Sequence, residues 1–351
     1  MNSSAETETA TIAQAPQPGW KRALRSPLTK VAIAIIALSL LAYFNRIKPE
    51  AFHGLSERWP WLLAAFALML PPYAIVSYRF WLVLRIQGIA ANKAQATRWT
   101  MIGSFFDVCM PSSSGGDVMK AGYVVRHAGK GWKTRSIMAV AFDRILGLLG
   151  LFLLAWFASV AGWSMVRDLP QASALIVFLT MVCGGALLAF RILGSQFIQK
   201  STRIQSLIPR LPAGRQIGNF IGTFHALRKQ RGLFWAALGL SVLNHLCWCS
   251  SLLCICTAVN MSVQPIQGLI VFPLAIFGNL FGFAGGFGVG TAAFDLLFHQ
   301  LLSLQGGAVV GLLFQVLGAL SRLTGLPFFL WSKQHPESVS TEPPTHFHAP
   351  A

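Results

Sequence analysis

Charged residues are scarce in this chain of 351 residues, and acidic ones are the scarcest. Charged side chains make up 11% of the residues, with 28 Lys and Arg against 11 Asp and Glu, whereas hydrophobic residues make up 54%. A soluble globular domain carries about a quarter charged residues, so the composition excludes that class. Several apolar runs approach or exceed the roughly 20 residues that a helix needs to cross a bilayer. We therefore predict an all-α, polytopic integral membrane helix bundle.

The sequence also lacks the motifs of common enzymes and metal sites. It contains no GxSxG elbow, no HExxH motif, no P-loop and no soluble segment large enough to bind a nucleotide. Four cysteines, Cys247, Cys249, Cys254 and Cys256, lie in one apolar run without a CxxC pair, a spacing that does not let four thiols converge on one metal. We expect no metal or other cofactor and a protein that is not an enzyme.

The formal net charge of +17 would suggest a nucleic-acid partner in a soluble protein. No nucleic-acid-binding module occurs, however, and the cytoplasmic loops of membrane proteins accumulate Lys and Arg. If the N-terminus is cytoplasmic, 21 of the 28 Lys and Arg fall on that side of the membrane. The charge pattern therefore predicts a multi-pass protein of the bacterial inner membrane with both termini in the cytoplasm. It does not determine the oligomeric state.

Hydropathy divides the chain into a membrane domain, residues 28–332, between two polar tails, residues 1–27 and 333–351, which we predict to be disordered and cytoplasmic. We expect about seven or eight membrane helices. The apolar runs lie at 28–45, 60–83, 136–162, 172–193, 232–259, 265–282 and 308–331. Two interrupted segments, 99–122 and 284–304, are each interpreted as a re-entrant hairpin or a pair of short helices, and the second also as part of an extra span.

The two interruptions are the strongest functional signal in the chain. Lipid cannot satisfy free backbone N–H and C=O groups, so a broken helix at membrane depth lies within protein or beside a watery cavity. A pair of broken segments in the two halves of a sequence indicates a transporter's binding site. We predict that the substrate contacts Ser112, Ser113, Ser114, Gly115, Gly116, Asp117 and Lys120 in the first half, and Gly285, Gly286 and Gly288 in the second.

Ionisable residues inside apolar runs add further candidates for substrate binding. Asp143 and Arg144 lie about eight residues into an apolar helix, where charges are costly and usually face a cavity. An arginine beside a cavity can hold a phosphate through two hydrogen bonds, whereas the alternative is that both residues pair with other helices. Because neighbours on a helix face different directions, we expect a different partner for each.

Four other ionisable positions leave alternatives open. Arg79 and Arg322 lie near the ends of apolar runs, where long side chains extend to the membrane surface. Arg322 is predicted to be the more buried of the two and a member of the central site. Asp107 and Asp295, one in each interrupted segment, are candidate partners for a buried arginine or candidate proton carriers.

The order of three motifs resembles a known family. Residues 111–120 (PSSSGGDVMK), 141–146 (AFDRIL) and 285–289 (GGFGV) look like the flippase-like transmembrane region of lysylphosphatidylglycerol synthases. The resemblance covers roughly residues 30–332 and implies about eight membrane helices, two re-entrant or broken elements, and movement of a lipid between leaflets. The chain lacks the soluble aminoacyl-transferase domain of the full-length synthases, so lysine transfer is not implied.

Three residues depart from the family pattern. Lys120 stands where the family often has Arg, and Asp143 where it often has Glu, so both positions keep their charge. Thr291 stands where an acidic residue commonly follows the second glycine motif, and Asp295, one helical turn further on, is a candidate replacement.

We predict a lipid flippase or transporter that moves a phosphate-bearing lipid, either a phospholipid or a polyisoprenoid-linked lipid. The alternative is a membrane enzyme or an accessory subunit of a lipid-linked glycosylation or hopanoid pathway, with glycosyltransferases or lipid-biosynthesis proteins as partners. A purely structural protein is disfavoured, since polar groups at membrane depth are rarely retained only for assembly.

Overall fold

A computed structural model describes residues 54–109, 115–167, 172–193, 230–281 and 287–334, together with the single residues 218, 222 and 224. All regular elements in this part of the chain are helices, so the predicted fold class is confirmed. Five stretches are long and apolar enough to cross a membrane: Trp59–Ile86, Lys133–Ala161, Ala174–Ile192, Arg231–Ala258 and Gly307–Ser332. The protein is a multi-pass helical membrane protein.

The α-helices, in chain order, are α1 (Trp59–Leu68), α2 (Pro71–Ile86), α3 (Lys93–Cys109), α4 (Gly115–Ala128), α5 (Lys133–Ala161), α6 (Trp163–Val166), α7 (Ala172–Leu193), α8 (Arg231–Ala258), α9 (Pro265–Gly278), α10 (Val289–Leu302), α11 (Gly307–Arg322) and α12 (Leu326–Gln334). Short 3₁₀ helices lie at Lys130–Trp132, Asn279–Phe281 and Leu323–Gly325. The predicted first helix, 28–45, and the predicted N-terminal tail lie outside the described residues, as do residues 335–351 of the C-terminal tail.

Two predicted helices are each divided in the structure. The run predicted at 60–83 forms α1 and α2, because Pro71 and Pro72 begin a new helix. Proline fixes its own φ and lacks an N–H, so it is tolerated in the first turn of a helix but interrupts one that precedes it. The run predicted at 308–331 forms α11 and α12, joined by the 3₁₀ turn Leu323–Gly325.

The first interrupted segment is a hairpin formed by α3 and α4, here called the first hairpin. The ring of His127, at the end of α4, donates a hydrogen bond to the carbonyl of Ala90, just before α3 (2.8 Å). The hairpin therefore begins and ends at the same end of the bundle. Its helices have 17 and 14 residues, about 25 and 21 Å, which is shorter than the roughly 30 Å of a bilayer core. The segment is re-entrant.

The second interrupted segment pairs with the helix before it, so that α9 and α10 form a second hairpin. Met261, before α9, lies beside Gly306, which follows α10, and Ile266 of α9 lies beside Gly162, which follows α5. Both helices have 14 residues, about 21 Å each. This hairpin therefore enters from the end of the bundle opposite to the first hairpin.

The two ends of the bundle differ in charge. The end from which the first hairpin enters, here called the basic end, carries six cationic residues at the adjoining helix ends: Arg85, Lys93, Arg98, Arg126, Lys133 and Arg135. The opposite end, called the far end, carries Arg58 before α1 and Arg167 after α6. The asymmetry agrees in direction with the charge pattern read from the sequence.

Glycines allow close contacts between helices, both within the first hairpin and between α5 and α8. In the first hairpin, Gly116 of α4 lies directly against the carbonyl oxygen of Gly103 in α3. Elsewhere Gly150 of α5 lies against Ser241 of α8, so that a Cβ on Gly150 would be 3.1 Å from the backbone nitrogen of Val242. Small residues allow backbones to approach in this way, which is a common mode of helix packing in membranes.

We predict that Gly116→Ala destabilises the protein, whereas Gly122→Ala in the same helix does not. A Cβ at Gly116 would overlap the Gly103 carbonyl oxygen and lie 2.6 Å from Asp107 Oδ1, whereas a Cβ at Gly122 meets nothing within 4 Å. Overpacking of this kind costs about 1–3 kcal/mol. The thermal unfolding midpoint of the purified protein in detergent is the measurement, and equal midpoints for the two variants would contradict the close approach of α3 and α4.

Candidate functional site

A buried group of three charges lies at the centre of the bundle. Asp143 of α5 accepts a hydrogen bond from Arg79 Nε of α2 (2.8 Å) through Oδ1 and one from Lys120 Nζ of α4 (3.2 Å) through Oδ2. The relative exposures of Arg79, Lys120 and Asp143 are 4%, 6% and 4%. Asp143 is ten residues into α5, about 15 Å from the basic end, which places the group near the middle of a bilayer core.

Further contacts fix both cations of this group. Arg79 Nη1 donates to Ser241 Oγ of α8 (3.0 Å), and the Lys120 ammonium lies 4.3 Å from the centroid of the Phe80 ring. A Cβ on Gly147 would lie 3.2 Å from Arg79 Nη1, so the glycine leaves room for the guanidinium. The group therefore ties α2, α4, α5 and α8 together and carries one net positive charge.

An ion pair lies beside this group of three charges, and its side chains are more exposed. Arg144 of α5 donates from Nη1 to Asp117 Oδ2, in the first turn of α4. The side chains of Arg144 and Asp117 are 33% and 31% exposed, against 5% for Asp143. The prediction that Asp143 and Arg144 have different partners is confirmed, because the two side chains leave α5 in different directions.

Two further ionisable residues lie near these ion pairs, Asp107 on α3 and Arg322 on α11. Asp107 Oδ1 accepts a hydrogen bond from the backbone N–H of Gly116 (2.9 Å), which links the two helices of the first hairpin near its tip. Arg322 lies at the end of α11, and no salt bridge joins it to another residue in the described ranges. Ser321, its neighbour, is hydrogen-bonded to the Tyr73 hydroxyl (2.7 Å).

The second hairpin contributes uncharged polar side chains to this region, and they bind an amide of α11. Thr291 Oγ1 donates to Gln315 Oε1 (2.8 Å), and Gln315 Nε2 donates to Asn279 Oδ1 (3.0 Å). Thr291 lies on α10, Gln315 on α11 and Asn279 directly after α9, so this chain of hydrogen bonds holds the second hairpin against α11. Gly290 has no room for a Cβ, which would overlap the Asn279 amide.

The seven charged residues described above and the amides of Asn279 and Gln315 surround one cavity of about 320 Å³. Its lining comes from both hairpins and from α2, α5, α8 and α11, with Asp107 and Gly116 on the first hairpin and Ile276 and Asn279 on the second. Four cationic side chains (Arg79, Lys120, Arg144 and Arg322) and three carboxylates (Asp107, Asp117 and Asp143) line it. When all are ionised, the cavity has one more positive than negative charge.

Three buried polar atoms on the cavity lining have no hydrogen-bond partner among the described residues. They are Thr100 Oγ1 of α3 and, on α8, Asn244 Oδ1 and His245 Nδ1. Leaving such a group unpaired in the interior costs about 1–3 kcal/mol. The other ring nitrogen of His245 donates to the Gly147 carbonyl of α5 (3.0 Å), an interhelical hydrogen bond.

The cavity brings together six of the residues predicted to contact substrate: Gly116, Asp117, Lys120, Asp143, Arg144 and Arg322. Gly115 begins α4 and Gly288 immediately precedes α10, and neither is among the lining residues. Ser112, Ser113, Ser114, Gly285 and Gly286 lie outside the described residues. Asp295 is buried on α10 but is not part of the lining, and no group of metal-binding side chains occurs in the part of the chain that the structure describes.

The expectation for Arg79 was wrong. The sequence predicts a side chain that extends to the membrane surface and is less buried than Arg322, but Arg79 is the more buried of the two because Asp143 neutralises it inside the bundle. The sequence interpretation also missed Thr100, Asn244, Asn279 and Gln315 as cavity residues. Asn and Gln side chains inside apolar runs indicate such cavity positions, since polar groups at membrane depth usually face a bundle interior.

We predict that Asp143→Asn destabilises the protein far more than Asp117→Asn. The first change leaves two buried cations without a carboxylate, which costs about 3–5 kcal/mol. The second breaks a partly exposed pair, which costs about 1 kcal/mol or less. Thermal unfolding in detergent measures both, and similar losses for the two variants would contradict the burial of the Asp143 group.

A comparison with protein-family models identifies the family of the chain. A family model described as "Lysylphosphatidylglycerol synthase TM region" matches residues 28–323. No protein with a curated description and no solved structure matches the chain. Because the family model covers most of the chain, the resemblance stated from the sequence motifs is confirmed. The chain belongs to the lysylphosphatidylglycerol synthase transmembrane-region family.

Proposed function

We propose that this protein moves a phosphate-bearing lipid, either a phospholipid or a polyisoprenoid-linked lipid, between the two leaflets of a membrane. One observation carries the proposal: a cavity with an excess of positive charge lies at mid-depth, between two re-entrant hairpins that enter from opposite ends. A polar head group cannot cross the apolar core alone, so a carrier needs a polar compartment at this depth.

The charge of the cavity favours an anionic head group. Buried charges are stable only when they are compensated, and the three carboxylates leave one of the four cations uncompensated. Arg144 and Arg322 are the cavity arginines that are not fully buried. A guanidinium can hold two phosphate oxygens at once, so both are suited to a lipid phosphate.

The size of the cavity favours a head group without its chains. Its volume of about 320 Å³ lies at the lower end of the range for small-ligand sites, about 300–1,000 Å³. A phosphate with a small substituent fits such a volume, while acyl or isoprenoid chains remain in the surrounding lipid. The protein then shields only the polar part of the substrate during its passage.

The opposed hairpins suggest how the cavity communicates with each leaflet. The first hairpin enters the bundle from the basic end and the second from the far end, and both contribute lining residues to the cavity. Movement of one hairpin at a time would expose the cavity to one side of the membrane and then to the other. The contacts of Asp117 with Arg144 and of Asn279 with Gln315 join the hairpins to α5 and α11, and these contacts would break and re-form during the cycle.

We further propose that the basic end faces the cytoplasm of a bacterial inner membrane, with both termini on that side. Cytoplasmic loops carry the excess of Lys and Arg, as the basic end does. In this proposal the protein is a carrier and not an enzyme, and lipid-biosynthesis proteins or glycosyltransferases on the cytoplasmic side supply its substrate.

We expect Arg144→Ala to reduce transport of an anionic phospholipid at least tenfold while the protein remains folded. The Arg144 side chain reaches the cavity and is a third exposed, so its loss removes a phosphate contact at small cost in stability. The assay is leaflet exchange of fluorescent phosphatidylglycerol in proteoliposomes, read with an impermeant quencher.

Arg85→Ala is the matched control for this variant. Arg85 is exposed at the basic end, where its guanidinium lies over the Trp81 ring (4.9 Å), and it does not line the cavity. Its removal changes the net charge by the same amount but should leave exchange unchanged. Normal exchange by Arg144→Ala would refute the assigned site, and no exchange of phosphatidylglycerol or of a polyprenyl phosphate by folded wild-type protein would refute the carrier proposal.

A further inference from the structure

Two cations lie against one aromatic side chain at the basic end, outside the central cavity. The Arg85 guanidinium lies 4.9 Å from the centroid of the Trp81 ring, and the Lys93 ammonium lies 5.0 Å from the same ring and 5.2 Å from the Tyr78 ring. The centroids of the two rings are 5.3 Å apart. These four residues, here called the aromatic–cation cluster, do not line the cavity.

The turn between α2 and α3 holds the cluster in place. The indole N–H of Trp81 donates to the carbonyl of Ala91 in this turn (3.0 Å), which fixes the orientation of the ring. At the start of α3, the backbone N–H of Asn92 donates to Gln95 Oε1 (2.9 Å), and that of Gln95 donates to Asn92 Oδ1 (2.8 Å). This reciprocal cap fixes the backbone from which the Lys93 side chain extends. Defined local structure therefore holds both cations at the ring.

The cluster has no carboxylate of its own. The sequence contains no Asp or Glu between Glu57 and Asp107, and no salt bridge joins Arg85 or Lys93 to another residue in the described ranges. An aromatic ring attracts a cation but has no net charge, so both positive charges remain uncompensated. Two like charges at one ring also repel each other. The charge of the cluster is therefore complementary to an anionic ligand.

The side of α2 that carries the cluster faces lipid. Ala74, Tyr78 and Arg85 are exposed and Trp81 is half-buried, and their spacing of three or four residues places all four on one stripe of a membrane-spanning stretch. Arg85 lies at the basic end of the stripe, and Ala74 lies about 16 Å deeper. The stripe is thus cationic at the membrane surface, aromatic below it and apolar at depth. A phospholipid with an anionic head group has the matching order.

We propose that the aromatic–cation cluster binds an anionic phospholipid of the leaflet at the basic end, as a bound lipid that is not transported. The lipid phosphate lies between Arg85 and Lys93, and one acyl chain follows Tyr78 and Ala74 along α2. A zwitterionic lipid is disfavoured, because its ammonium group would add a third positive charge. The site is separate from the cavity, so the inference goes beyond the proposed function and does not depend on it.

The test is photo-labelling of the purified full-length protein in phosphatidylcholine nanodiscs. The two probes are phosphatidylglycerol and phosphatidylcholine with the same diazirine on one acyl chain, and mass spectrometry of peptides locates the label. The quantity measured is the ratio of labelling by phosphatidylglycerol to labelling by phosphatidylcholine on residues 74–85. We expect a ratio of about twentyfold, since each cation at a membrane surface strengthens the binding of an anionic lipid about fivefold.

Two variants locate the head group. Arg85→Ala and Lys93→Ala should each lower the labelling ratio about fivefold, and both side chains are exposed, so the variants should remain folded. The bound lipid is not cargo, so Arg85→Ala lowers this ratio while leaflet exchange stays at the wild-type rate. Arg144→Ala, which changes the cavity, should leave the ratio on residues 74–85 unchanged.

Arg135→Ala is the matched control. Arg135 is also exposed at the basic end, with its guanidinium 4.8 Å from the centroid of the Trp132 ring, but it is the single cation over that ring in the described part of the chain. Its removal should leave the ratio at the wild-type value. Equal labelling of the wild type by the two probes, or an equal loss in Arg135→Ala, would overturn the proposal. Displacement of the anionic probe by millimolar glycerol 3-phosphate would also overturn it, because the site would then hold a soluble phosphate and not a lipid.

Discussion

The carboxylate of Asp143 is the interaction on which the centre of this bundle depends. It forms ion pairs with Arg79 of α2 and with Lys120 of α4, so it joins both helices to α5. A charged group at mid-depth in a membrane protein is stable only when it is paired or hydrated. The position of the first hairpin therefore follows from electrostatics as much as from apolar packing, because Lys120 is the point at which α4 enters the charged group. The group of Arg79, Lys120 and Asp143 has two positive charges and one negative charge. The uncompensated positive charge determines the chemistry of the cavity.

The broken helices are explained by the same constraint. Free backbone groups cannot face lipid, and in the structure one face of each hairpin lines a polar cavity. The hairpins differ in how they are held. The first is anchored by ion pairs to α5, and the second by the amide chain through Asn279 and Gln315. An anionic ligand competes directly with the ion pairs of the first hairpin but only as a hydrogen-bonding group with the amides of the second.

Periodicity and hydropathy predicted the apolar helices well because each long helix satisfies its own backbone and needs little from its neighbours. Helices α5, α7 and α8 begin and end within three residues of their predicted bounds. The interruptions were also visible, since Pro111 and the glycines of both turns break the apolar pattern. Whether each interrupted segment turned back or crossed the membrane depended on long-range contacts, such as the one between His127 and Ala90, which no local pattern encodes.

The sequence by itself determined that this is a helical membrane protein of a known family, with charged residues and two broken segments at membrane depth. These properties follow from composition and local order. The tertiary structure decided which charges meet, for residues as far apart in sequence as Arg79 and Asp143 pair only when α2 and α5 pack together. It also decided that Thr100, Asn244 and Asn279 face a common cavity. The physical reason is that a polar side chain in an apolar run must find a partner or a cavity, but the run does not specify which neighbouring helix supplies it.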